Sequence, residues 1–150
     1  LIKSKNLSYL IEKVSEIGVR RIVPVITSFS ENFKLNYERL NKIIFEAVEQ
    51  NDSLNIPELT KQVKLSDLMK NWDSERLILF CDEKRKGQRI LNLPLKKKKI
   101  AIFIGPVGGW SSEDKNLFKN KNFYEIELGP NILKADTASI VALSAVRNLL

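Results

Sequence analysis

Five apolar residues, Ile100, Ala101, Ile102, Phe103 and Ile104, run uninterrupted into Gly105-Pro106-Val107-Gly108-Gly109-Trp110-Ser111. Such a run suits a central strand of a parallel sheet, where both faces are covered. Gly105, Gly108 and Gly109 permit backbone angles and close approaches that a Cβ would forbid. Ser111 or Ser112 is placed to cap a helix, with Glu113 and Asp114 in its first turn. A second glycine turn, Leu128-Gly129-Pro130-Asn131, follows another predicted strand. Open α/β sheets bind ligands at the carboxyl ends of their strands. The two turns are therefore expected to form two sides of one pocket, with walls from Ile104, Trp110, Leu128, Ile132 and Leu133. Strand termination would also account for either turn taken singly.

The remaining elements follow from spacing. Leu7, Leu10, Ile11, Val14 and Ile17 recur at helical period, and Gly18 is placed to end that helix. Residues 21–26 read as one strand, with Pro24 marking a bulge or a sheet edge. Tyr37, Leu40, Ile43, Ile44, Ala47 and Val48 predict a helix ending near Gln50. Residues 51–60 read as a loop, 65–72 as a short helix and 76–80 as a strand. A helix is expected to run on to Lys121, and a strand over 124–128. The segment after Ala135 is apolar on most sides and predicts a largely buried helix, capped by Asp136 or Thr137. Helices and strands alternate, so the class is α/β, with a mainly parallel sheet and helices on both faces.

Composition narrows the chemistry. The chain of 150 residues contains no histidine, which excludes Ser-His-Asp catalysis and His-ligated metal. Cys81 is the only cysteine, so no disulfide forms within the chain, and a reducing cytoplasm is expected. No apolar run reaches the roughly 18 residues that a membrane span needs. The net charge of +7 favours a polyanionic partner. Lys84, Arg85, Lys86, Arg89, Lys96, Lys97, Lys98 and Lys99 concentrate that charge in residues 84–99. They are either phosphate contacts or a solvated loop. The glycine turn lacks the Gly-Lys-Ser/Thr of a P-loop and the Gly-x-Gly-x-x-Gly of a dinucleotide site. What remains is a pocket lined by main chain, suited to an adenine ring with a compact polar tail. Lys134 stands at its mouth with Asp136 and could stabilise a developing anion.

Five segments resemble the RsmE family of bacterial 16S rRNA (uracil-N3)-methyltransferases, of the SPOUT superfamily. They are residues 13–19 (Lys-Val-Ser-Glu-Ile-Gly-Val), Glu49-Gln50 with Ile56-Pro57, residues 105–111, residues 128–134, and Ala135-Asp136-Thr137-Ala138. They occur in the family's order over nearly the whole chain. The resemblance implies a deep trefoil knot near the C-terminus, a homodimer, and S-adenosylmethionine held by the knotted loops. By position, Phe80, Cys81, Ile104, Gly105, Gly109, Leu128, Gly129, Ile132, Leu133 and Thr137 would bind that cofactor. Lys134 would be catalytic, and Lys96, Lys97, Lys98 and Lys99 would meet 16S rRNA of the small ribosomal subunit. No metal is expected. Residues 1–150 would be one methyltransferase domain, without the family's N-terminal PUA-like domain. Where the family pattern has Glu, this chain has Val107. Where it has Arg, this chain has Phe29, Ser53 and Lys134. The alternative expectation is a knotted RNA-binding or assembly module with weakened or lost activity.

Overall fold

The computed structural model describes residues 4–30, 34–51, 54–81, 87–95, 99–106 and 108–150. The chain alternates helices and strands: α1 (Ser4–Ile17), β1 (Arg21–Ile22), β2 (Val25–Ile26), α2 (Tyr37–Gln50), β3 (Glu58–Leu59), β4 (Val63–Lys64), α3 (Leu65–Lys70), β5 (Leu77–Cys81), β6 (Gln88–Arg89), a 3-10 turn (Ile90–Asn92), β7 (Ile100–Ile104), α4 (Ser112–Asn116), β8 (Phe123–Glu127) and α5 (Ala135–Leu149). Every strand pairing is parallel. The main sheet has the order β6-β8-β5-β7, and β1-β3 and β2-β4 form two short pairs.

β5 is the central strand. Leu77, Ile78, Leu79 and Phe80 are all buried, as a strand covered on both faces requires. Alternate residues feed opposite cores. Ile78 and Phe80 meet Leu65, Met69, Phe103, Trp110 and Phe118 on one face. Leu77 and Leu79 meet Ile90, Leu93, Leu95, Ile126 and Val146 on the other. α3 thus covers one face and α5 the other. A third cluster joins α1 to α2 through Ile11, Leu40, Ile44 and Val48. Each such fully buried aliphatic contributes roughly 1.5–3 kcal/mol from its removal from water.

Several expectations are corrected. β7 is an edge strand among the described residues, because it pairs with β5 alone. Its apolar run serves α5 and the aromatic core instead of a second strand. Residues 21–26 form two strands, with Val23 and Pro24 between them. Pro24 has no N–H for a ladder, but its carbonyl accepts from Val63 at 3.1 Å. The partners β3 and β4 are too short to show a period, so β3 was expected as loop. Residues 87–95 hold β6 and the 3-10 turn where a basic loop was expected. Leu93 and Leu95 point inward there and explain the ordering. Gly87 passes so close to β8 that a Cβ would lie 2.5 Å from the Glu125 carbonyl. α4 stops at Asn116 instead of Lys121, and Asn120 takes a positive φ of 66°.

α1 ends as its glycine requires. Gly18 has φ +95°, and its N–H donates to the Val14 carbonyl at 3.1 Å. α5 buries Ala138, Ala142 and Val146, while Val141 is exposed, so it is one-sided instead of largely buried. Its N-cap is Lys134 without a side-chain cap, not Asp136 or Thr137.

Candidate functional site: two glycine loops at the carboxyl edge of the sheet

Register places the two glycine turns on one edge of the sheet. Cys81 at the end of β5 pairs with Ile104 at the end of β7 and with Ile126 near the end of β8. Residues 105–111 and 128–134 therefore leave the same edge of the sheet, from strands that flank β5.

The first loop is locked from below. Gly109 donates from its N–H to the Pro106 carbonyl at 2.9 Å, closing a tight turn. Trp110 then dives into the core, where its ring lies 4.8 Å from Phe80 and 5.7 Å from Phe118. Its indole N–H donates to the Cys81 carbonyl at 3.2 Å. Gly105 must lack a side chain, because a Cβ would sit 2.8 Å from that indole nitrogen. Trp110 is thus a buried anchor, not the pocket wall expected of it.

α4 completes the lock. Ser111 and Asp114 form a capping box: the Asp114 N–H donates to Ser111 Oγ, and the Ser111 N–H to Asp114 Oδ2. Asp114 is 4% exposed. Its carboxylate also accepts from the Ser28 N–H at 3.2 Å and the Ser28 hydroxyl at 3.2 Å. Ser111 Oγ donates to Ser28 Oγ at 2.9 Å. One buried carboxylate therefore ties the glycine loop to the turn after β2. Sequence reasoning placed Asp114 only in the first helical turn. The Ser111-x-x-Asp114 spacing was the available signal; nothing in the sequence pointed to Ser28. Beside this clamp lies a cavity of about 380 Å³, with Thr27, Ser28, Leu65 and Asp114 in its wall. It is not between the glycine loops.

The other predicted residues divide in two. Phe80 is buried with its ring in the aromatic core, so only its main chain is available to a ligand. Cys81 is half-buried, and its apolar surroundings push the thiol up to about 12. It is neutral at physiological pH and is no nucleophile there. Ile104, Gly105, Leu128, Gly129 and Leu133 are partly accessible, Gly109 is buried, and Ile132 and Thr137 are exposed. Gly129 has φ +130°, and nothing lies within 4 Å of where its Cβ would be. Lys134 is exposed between the second loop and α5, and its carbonyl accepts from Ala138.

Of the basic residues at 84–99, Arg89 and Lys99 are described; Arg89 is exposed and pairs with Glu127 at 3.3 Å, and of the lysine run 96–99 only Lys99 is described. It is exposed and pairs with Glu75 at 3.2 Å and Asp73 at 3.8 Å. Lys84, Arg85, Lys86, Lys96, Lys97, Lys98, Ser53 and Val107 lie outside the described residues. Among the described residues, no cluster of three His, Cys, Asp or Glu side chains could hold a metal ion. No helix described is long and apolar enough to cross a membrane.

Comparison with known proteins adds chemistry to this geometry. Residues 1–147 match the model of the RNA methyltransferase domain family. The chain is 35% identical over 99% of its length to the ribosomal RNA small subunit methyltransferase E of Rickettsia conorii. It is 28% identical over 96% of its length to the enzyme of that name from Aquifex aeolicus. It spans 62% and 63% of those two proteins, less than two thirds of either. Among solved structures, a candidate methyltransferase from Legionella pneumophila with bound SAM superposes with a TM-score of 0.86. That match has 30% identity and covers 97% of this chain and 62% of the other.

Proposed function

Because this chain belongs to the RNA methyltransferase domain family, we propose that it methylates N3 of a uridine in 16S rRNA, as RsmE enzymes do, using S-adenosylmethionine. The observation that carries this reading is that two glycine loops leave the same carboxyl edge of the sheet, from the strands on either side of β5.

The residues present fit the cofactor. Main-chain groups of residues 105–109 and 128–133 would hold it, with Gly129 leaving room where a Cβ would intrude. Ile104, Leu128 and Leu133 supply apolar surface for an adenine ring. Bound S-adenosylmethionine supplies an electrophilic methyl group. The acceptor N3 of uridine carries a proton at neutral pH, so negative charge must develop on the base as that proton leaves. Lys134, exposed at the start of α5, provides the positive charge to stabilise it. With no histidine in the chain and Cys81 neutral, no covalent enzyme intermediate is required. The net charge of +7, and the lysines at 96–99, would draw the phosphate backbone towards the site.

The finer architecture follows the same reading. β8 enters the sheet between β6 and β5 after both neighbours are in sequence, and Gly87, just before β6, lies tight against the β8 backbone. Both features support a SPOUT knot in the C-terminal part. Exposed Val141 and Leu150 on and after α5 support a homodimer through that helix. We take residues 1–150 as the methyltransferase domain, acting in the cytoplasm on the small ribosomal subunit.

Calorimetric titration with S-adenosylmethionine, followed by transfer of labelled methyl to 30S subunits, tests the proposal. Binding together with label at uridine N3 is the expected result. Absence of cofactor binding would remove the enzyme reading. Binding without transfer would favour a knotted RNA-binding module.

A further inference from the structure

Residues 27–30 form a turn that is bonded more heavily than its length requires. The Ser30 N–H donates to the Thr27 carbonyl at 3.1 Å, and the Thr27 N–H to Ser30 Oγ at 2.9 Å. The two hydroxyls lie 2.8 Å apart. Ser28 is held by Asp114 and Ser111 of the glycine loop and α4. These bonds fix the backbone on both sides of Phe29, yet its side chain is 56% exposed.

Single exposed apolar residues are ordinary on protein surfaces. Phe29 differs from exposed Leu54 and Leu91 in where it is anchored. Its Cβ is the atom nearest to the position a Gly108 side chain would take, at 3.9 Å. Gly108 itself has φ +124° and is exposed, and it carries no side chain to cover the ring. A polar residue would suit the tip of such a turn better in water. The aromatic ring is instead presented, immobilised at its base, beside the glycine loop.

A flat apolar face held next to a site for single-stranded RNA matches one chemistry well. Every nucleobase has a π face, and unpaired bases are commonly held by stacking on aromatic side chains. We propose that Phe29 stacks on a nucleobase of the RNA substrate at the edge of the glycine loop, with the Ser28–Asp114 bonds holding the ring in place. This rests on the RNA methyltransferase reading.

The test titrates the full chain, Phe29→Ala and Phe29→Trp with a uridine dodecamer over a range of salt, and separately with S-adenosylmethionine. Phe29→Ala should weaken RNA binding about tenfold, and Phe29→Trp should restore it. The slope of log affinity against log salt should not change, because stacking releases no counterions. Cofactor affinity should also stay the same. RNA affinity unaffected by Phe29→Ala overturns the proposal. So does an equal loss of RNA and cofactor affinity, which would make Phe29 a support for the loop. Wild-type chain that takes cofactor but no dodecamer overturns it as well. Failure of the enzyme reading has a different signature, absence of cofactor binding by the wild-type chain, while the ring contact is judged on the RNA titration alone.

Discussion

Gly105→Ala puts a single methyl group against the anchor of the first glycine loop. The Gly105 backbone is not among the positive-φ positions, so alanine meets no conformational barrier there. Its Cβ would instead lie 2.8 Å from Trp110 Nε1, 3.2 Å from Cδ1 and 3.3 Å from Cε2. The indole cannot simply retreat, because it packs against Phe80, Phe103 and Phe118. Overpacking a rigid core of this kind costs about 1–3 kcal/mol. Displacing the ring also breaks its bond to the Cys81 carbonyl, for about 1–3 kcal/mol depending on whether water reaches the separated groups. The expected loss is roughly 2–6 kcal/mol. Urea unfolding followed by tryptophan fluorescence measures it. With a slope of about 2 kcal/mol/M, the midpoint should fall by about 1 M or more. Gly129→Ala is the contrast: its Cβ meets nothing, and only the backbone at φ +130° opposes it, at a cost on the order of 1–3 kcal/mol. A Gly105→Ala midpoint within about 0.3 M of wild type would show that the indole yields freely, and the account of Trp110 as a rigid anchor would fail.

Asp114→Ala removes the N3 half of the capping box and leaves the Ser28 and Ser111 amides without their acceptor, so it should cost about 2–4 kcal/mol by the same denaturation assay. Cys81 should resist iodoacetamide at pH 8 in the native protein and react on unfolding. Since its pKa rises from 9.0 to about 12 on folding, the folded state retains a proton that the unfolded chain loses. Its contribution to stability is therefore complete below about pH 9 and declines as pH climbs towards 12, a dependence that Cys81→Ala should abolish. Gly109→Val, at φ +73°, should abolish S-adenosylmethionine binding in calorimetry, and unchanged affinity would remove that loop from the site. Changing Lys96, Lys97, Lys98 and Lys99 to Ser should flatten the salt dependence of RNA binding without altering cofactor affinity. Lys99→Ser alone should change the slope by less than about 0.7, because Lys99 is shared with Asp73 and Glu75.

The long elements were legible because their patterns are long. α2 was expected with its observed last residue, since six apolar positions at helical period leave little freedom. β5 and the two glycine turns were equally plain. The strand misreadings share one cause: they concern partners. Glu58–Leu59 and Val63–Lys64 carry no strand pattern in two residues each; they are strands because Arg21–Ile22 and Val25–Ile26 lie alongside. Ile100–Ile104 was expected at the centre because apolarity reports burial, and α5 and aromatic rings cover this edge strand in part, with only Phe103 buried. Ile104 and Leu133 as site walls were inferred from neighbouring glycines. Trp110 was inferred the same way and turned inward, because its indole N–H had a carbonyl to satisfy on Cys81.

The insertion of β8 between β6 and β5 also governs the order in which the molecule can be made. Ile78 waits for Phe123, and Cys81 for Ile126, so the most buried strand keeps one edge unpaired until residues 123–126 have been synthesised. Such non-local pairing must meet its loop-closure entropy before any contact rewards it, and it is correspondingly slow. During that interval the apolar faces of residues 77–80 are open to other chains, at the stage when nascent proteins are most prone to aggregate. A substitution in residues 123–127 that delays this pairing would lengthen the time the chain spends in need of a chaperone, even where it barely weakens the finished protein.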